Sequence, residues 1–239
     1  MAEVAASSAP AAAALRVVAA IIIGAAVTLL LISGAVRWVT LSQTFYLSEF
    51  SKYRVGEITR LGPDQLQAVA QAFGDYFQSP PGELVVTVEL PGGRQALFNE
   101  REIAHMRDVQ VLMHRVFQTL AASIVMLVLG MILAIATDRP AGLRAITVGL
   151  AGGGITTVLL VGLLGLASLL DFERLFLQFH FVSFTNDLWT FDPRTDRLIQ
   201  LFPEGFFFDA ATRIATSSVV LGAVIAAISL GIQRLIPDS

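Results

Sequence analysis

Three histidines and no cysteine leave this chain few possible chemistries. Thiol nucleophiles, disulfides and thiolate metal sites are excluded by composition. No serine lies in a G-x-S-x-G turn, so a covalent acyl-enzyme mechanism has no sequence support. What remains is proton transfer by imidazole, whose ordinary pKa of about 6.5 lies near neutrality. His105 lies in REIAHMRDV, a helical pattern in which about 100° per residue puts Arg101, Glu102, Asp108 and Leu112 on its face. Asp108, three residues on, is within reach of the imidazole and is expected to fix its tautomer or raise its basicity. His114, nine residues from His105, falls on the opposite face. His180 sits in FLQFHFVSFTNDLW, among aromatic residues and beside Asn186, Asp187 and Trp189. The residues alone leave three readings open. His105 and His180 act as an acid–base pair; or they hold a metal together with Asp108 or Glu102, although the H-E-x-x-H spacing is missing; or Asn186, Asp187 and Trp189 merely shape a turn.

The elements that must position these residues follow from where charge is absent. Of 239 residues, 55% are hydrophobic and 15% charged, yet residues 17–36, 116–137, 145–170 and 214–233 contain no Asp, Glu, Lys or Arg. Each run suffices to cross a hydrocarbon core, which takes about 20 apolar residues at helical rise. The expected fold is a mainly α membrane protein with four transmembrane helices, at 15–38, 115–137, 145–170 and 211–235. An Ala- and Ser-rich tail, 1–14, is expected to be unstructured. The first span is expected to be retained, because its apolar run exceeds a signal core and Arg37 and Trp38 stand in place of a small-residue cleavage site. Two crossings separate the inserts 39–114 and 171–210, so parity puts both on one side, where they can form one small α/β domain. Flanking arginines are balanced between the two faces, and the short 138–144 loop is expected to be cytoplasmic, which makes both inserts extracytoplasmic. A net charge of -3 offers no basic surface to nucleic acid. Gly149 and Gly153, spaced by four within the third run, predict close helix packing rather than a nucleotide loop.

Within the first insert, Pro63 opens a helix whose apolar stripe is Leu66, Val69, Ala70, Phe73 and Phe77. A strand is expected over 83–90, rich in β-branched residues and ended by Pro91-Gly92-Gly93. Asn99 with Glu102 predicts a capping box, starting a helix that runs on into the second span. In the second insert, ten of the sixteen phenylalanines fall between 172 and 208. That segment is expected to lie at the membrane surface or to form an aromatic core, with a turn at 192–196 and a strand over RLIQLF.

At these residues the chain resembles the bacterial lipoprotein intramolecular transacylase family. The resemblance is carried by E-x-x-H-M-x-D-V, formed by Glu102, His105, Met106, Asp108 and Val109, and by H-x-x-x-F-x-N-D-x-W-x-x-D-P, formed by His180, Phe184, Asn186, Asp187, Trp189, Asp192 and Pro193. The latter continues through Asp196, Leu198, Ile199, Leu201, Phe202, Pro203 and Glu204. It implies a multi-pass cell-membrane acyltransferase whose active site faces outward and whose substrate is a diacylated lipoprotein. The sn-2 acyl chain would move to the α-amine of the N-terminal cysteine, giving a lyso-form lipoprotein, with no cofactor or metal. His105 and His180 match the family's catalytic pair. The amine, with a pKa near 8, must lose a proton before attack, and a histidine can take it. The expectation is therefore that His180 is the base while His105, tuned by Asp108, polarises the ester oxyanion or protonates the departing oxygen. Arg101, Glu102, Asn186, Asp187 and Trp189 are expected in support or substrate contacts. A membrane zinc hydrolase using the same histidines and a non-catalytic accessory protein are the alternatives.

Overall fold

A computed structural model describes residues 2–236, which form nine helices and one hairpin among the described residues. Four helices are long and apolar enough to cross a membrane: α1 (Ala2–Leu41), α5 (Glu100–Ile135), α6 (Arg139–Leu170) and α9 (Glu204–Gln233). The protein is thus a multi-pass membrane protein. Its residues divide between two compact units, one formed by 117–165 with the segments up to 35 and from 214, the other by 36–116 and 166–213.

Helical hydrogen bonding does not stop where apolar character does, so the helices outrun the uncharged runs. The described part of the 1–14 segment is helical rather than unstructured, as suits alanine's high helix propensity; Met1 lies outside the described residues. The 138–144 loop shrinks because Arg139 already starts α6, with Pro140 in the first turn where its missing N–H costs nothing.

In the first unit, small residues permit the helices to touch through their backbones. A Cβ on Gly153 would stand 2.6 Å from the Gly24 carbonyl oxygen, and one on Gly149 would stand 2.7 Å from that of Ala20. Thr28 Oγ1 uses this closeness to donate to the Gly153 carbonyl at 3.1 Å. Ile23, Val27 and Leu31 of α1 are buried, packed against Leu127, Met131, Leu150 and Ile225. Large apolar side chains such as Val125, Leu159 and Leu163 stay exposed. An apolar outer surface is what lipid demands, and it leaves packing rather than hydrophobic collapse to hold the helices.

The second unit has an aromatic core. Helix α2 (Gln43–Lys52) contributes buried Phe45, Tyr46 and Phe50, α4 (Pro63–Gln78) contributes Phe73, and the short α3 (Val55–Thr59) between them buries Val55. These aromatic rings meet Phe202 and Phe206, with ring centroids 4.8 Å apart for Phe73–Phe202 and 5.1 Å for Phe45–Phe206. Strand β1 (Thr87–Leu90) pairs antiparallel with β2 (Gly93–Ala96), turning through Gly93 at φ 96°. The strand is shorter than the 83–90 run because a strand lasts only as long as its partner. After one further bond, Leu97 N–H to the Val86 carbonyl, the chain turns inward at buried Leu97 and Phe98.

Helix α7 (Phe172–Ser183) follows α6, and the RLIQLF segment is not a strand but the short helix α8 (Arg197–Leu201). Leu198 and Leu201, three apart, are both buried, the spacing of a helical face. A strand there would need a paired edge, and the only sheet among the described residues pairs β1 with β2 alone.

The close helix packing yields a test. Gly153→Ala is expected to lower stability by about 1–3 kcal/mol through overpacking. Gly152→Ala, where a Cβ meets open space, is expected to leave the thermal midpoint in detergent unchanged.

Candidate active site

The capping box at the start of α5 fixes the first histidine. Asn99 Oδ1 accepts from the Glu102 amide at 3.0 Å, and Glu102 Oε2 accepts from the Asn99 amide at 2.8 Å. The other carboxylate oxygen, Oε1, accepts from the Leu198 amide at the start of α8. Glu102 is 1% exposed, so a single buried carboxylate holds the ends of two helices. One turn on, His105 is 6% exposed.

His180 approaches from α7. The two imidazole centroids are 6.4 Å apart with planes 26° from parallel. Trp189 lies over His180 at 4.8 Å, and Phe176 meets it edge-on at 4.5 Å. Phe184 and Phe191 flank His105 at 5.1 and 5.5 Å. Both histidines line a cavity of about 310 Å³ with Leu177, Leu198, Phe202 and Phe207, within the usual size of small-molecule sites.

This apolar wall sets the charge state. Burial holds His105 down to about 4, helped by the neighbouring His180 and only partly opposed by Asp108. It lies ten residues before Arg115, the last charge ahead of the uncharged span. Burial also lowers His180, against a hydrogen bond that favours its protonated form. Both rings are therefore neutral at pH 7. His180 Nδ1 lies 2.8 Å from the Phe176 carbonyl oxygen, which can only accept, so Nδ1 carries the proton and Nε2 keeps a free lone pair. His105 Nδ1 is buried with no hydrogen-bond partner among the described residues. An orphaned N–H is the rarer and costlier state, which favours the proton on Nε2.

The supporting residues take different partners from those their spacing suggests. Asp108 does not hydrogen-bond His105; its Oδ2 accepts from Asn186 Nδ2 at 2.9 Å. Asn186 Oδ1 accepts from the Leu188 amide, and its carbonyl accepts from Trp189 Nε1 at 2.8 Å. Arg101 donates to the Asp187 carbonyl at 2.7 Å. Asp108 and Arg101 thus pin the 186–189 turn to α5, and the turn sets Trp189 against His180. His114 stays apart, its Nε2 3.2 Å from the Phe77 carbonyl oxygen. As metal ligands the carboxylates are poorly placed, with both Glu102 oxygens occupied by amides and Asp108 by Asn186. No group of three His, Asp or Glu that could hold a metal occurs among the described residues. The cavity wall is drawn from the phenylalanine-rich second insert, above all Phe176, Phe191 and Phe207. The helical period of Phe172, Phe176 and Phe179 sets Phe176 one turn before His180, whereas nothing in the spacing brings Phe191 and Phe207 to the same cavity.

Residues 21–207 match the lipoprotein intramolecular transacylase family, Lit. An uncharacterized protein of Aquifex aeolicus is 29% identical over 136 residues, which is 57% of this chain and 57% of that protein. The fold resembles the membrane integral lipoprotein intramolecular transacylase of Bacillus cereus, with TM-score 0.70, 19% identity, and coverage of 93% of this chain and 99% of that one. A histidine-to-arginine variant of that protein gives TM-score 0.71 at 21% identity, covering 93% and 95%.

The burial of neutral His105 makes stability depend on pH. Its proton is taken up below about 6.5 when unfolded but only near 4 when folded, so stability present above 6.5 is lost as pH falls toward 4. Thermal unfolding in detergent should show a shallower acid decline for His105→Phe than for the wild type.

Proposed function

The chain belongs to the lipoprotein intramolecular transacylase family, and we propose that it moves the sn-2 acyl chain of a diacylglyceryl lipoprotein to the α-amine of its N-terminal cysteine. It is an acyltransferase of the cell membrane, with its active site on the extracytoplasmic side. The observation that carries this reading is the pair of histidines in one mainly apolar cavity, their rings 6.4 Å apart, with His180 Nδ1 on the Phe176 carbonyl and His105 buried beside it.

His180 is the base. As the amine nitrogen attacks the ester carbonyl, Nε2 takes a proton from it, a contribution typically worth 10²- to 10⁴-fold. The new C–N bond forms, the glyceryl C–O bond breaks, and the proton on Nε2 passes to the departing oxygen. His105, too depressed to be an imidazolium at neutral pH, acts as a neutral donor. Its Nε2–H faces the negative charge that develops on the ester oxygen, where a fixed dipole in a water-poor site is most effective. Asp108 favours the protonated form of His105 through its charge rather than through a hydrogen bond, and it has a positioning role besides: it holds Asn186, and with it Trp189. Because amine and ester belong to one molecule, the enzyme need only hold a reactive conformer, and well-oriented intramolecular groups reach effective molarities of about 10⁵ M or more. The aromatic wall receives the acyl chain and excludes water that would hydrolyse the ester.

The test is mass spectrometry of a reporter lipoprotein expressed with each form of the protein. Wild type is expected to convert the free N-terminus to an N-acylated lyso-form, insensitive to chelator. His180→Ala and His105→Ala are expected to lose at least about 10²-fold. An unmodified N-terminus with wild type refutes the activity, and full activity of either variant refutes that histidine's role.

A further inference from the structure

The histidine cavity carries two carboxylates in an otherwise mainly apolar wall. Glu173 stands in the first turn of α7 and Glu204 in the first turn of α9. Both are exposed. Among the described residues no Lys or Arg lines the cavity with them. The cavity thus has two negative groups without a compensating cation, and its deeper polar atoms are the uncharged imidazoles. His105, 6% exposed, lines the same cavity, and its Nδ1 is buried with no hydrogen-bond partner among the described residues.

Such a wall discriminates by charge. It attracts a cation on an apolar body and repels an anionic headgroup. Phe176, Trp189, Phe191 and Phe207 line the same space, and aromatic rings add to the attraction for an ammonium group. An N-terminal α-amine, with a pKa of about 7.7–8.0, is mostly ammonium at neutral pH. We propose that Glu173 and Glu204 capture the α-ammonium of the lipoprotein and present it to His180, so that a free N-terminal amine is the feature by which the enzyme selects its substrate. This rests on the transacylase reading. Capture precedes chemistry: one proton of the ammonium leaves to solvent, and the next passes through His180 to the glyceryl oxygen as the acyl bond moves from oxygen to nitrogen. The same side chains also complement the N-terminal dipoles of α7 and α9, so the experiment must separate binding from helix stability.

Two measurements on the full-length protein in detergent do so. In the first, a diacylated lipopeptide with a free amine and its N-acetylated form compete for binding. Wild type is expected to favour the free amine by about tenfold, taking about twofold to fivefold per exposed carboxylate. The preference is expected to vanish in Glu173→Gln/Glu204→Gln. In the second, acyl-transfer kinetics should show KM raised in each single Gln variant with a smaller change in kcat. The wild-type KM should rise between about 0.05 and 0.5 M salt, a dependence the double variant loses. Equal wild-type affinity for the two lipopeptides overturns the proposal, as does a double variant that melts earlier but keeps the wild-type preference and salt dependence. Failure of wild type to transfer the acyl chain refutes the transacylase reading instead, while the binding arm still decides the role of the carboxylates.

Discussion

One buried carboxylate organises the site. Glu102 accepts from its own helix start through Oε2 and from the Leu198 amide through Oε1, and it is 1% exposed. A charge removed from water must be paired or well hydrogen-bonded, or its burial costs several kcal/mol. Glu102 meets that condition only if α5 and α8 stand where they do. It therefore fixes the residues that follow it on α5, His105 one turn on and Asp108 two turns on, relative to the segment that closes the cavity with Leu198 and Phe202. The helix α8 itself depends on the same contact, because Asp196 at its N-cap makes no side-chain cap bond.

The second constraint is the dryness of the cavity. An aromatic wall lowers the proton affinity of both histidines, so neither competes for a proton at rest. Identical side chains are then differentiated by their neighbours. A backbone carbonyl holds Nδ1–H of His180 and leaves its Nε2 lone pair free, whereas His105 Nδ1 lacks such a partner among the described residues, and the two roles proposed for them follow from that difference. The polar clasp of Asp108, Asn186 and Arg101 lies outside this wall. It spends its hydrogen bonds on geometry, holding Trp189 against His180, rather than on charging either ring.

The first unit solves a different problem. Lipid provides no hydrophobic drive between helices, so close backbone contact at Gly149 and Gly153 and the Thr28 hydrogen bond across α1 and α6 do the joining. These contacts require residues without side chains at defined positions, which is why glycine spacing within an apolar run was informative.

Much of this was legible in the sequence because it is local. The absence of charge marks the four spans, since burying charge in hydrocarbon is costly at any position. The Asn99–Glu102 capping box, the helix through His105 and the packing face of Gly149 and Gly153 depend on spacings of three or four residues. The scarcity of histidine singles out His105 and His180. Spacing gives the angle between residues on one helix but no distance across elements, and there the tertiary structure decided. Asp108, one turn from His105, bonds Asn186, 78 residues away, because folding brings that amide donor within 2.9 Å of its carboxylate. RLIQLF became a helix whose buried face is Leu198 and Leu201 and whose Leu198 amide Glu102 holds. The gathering of Glu173 and Glu204 around one cavity likewise depends on how α7 and α9 meet, which no local pattern encodes.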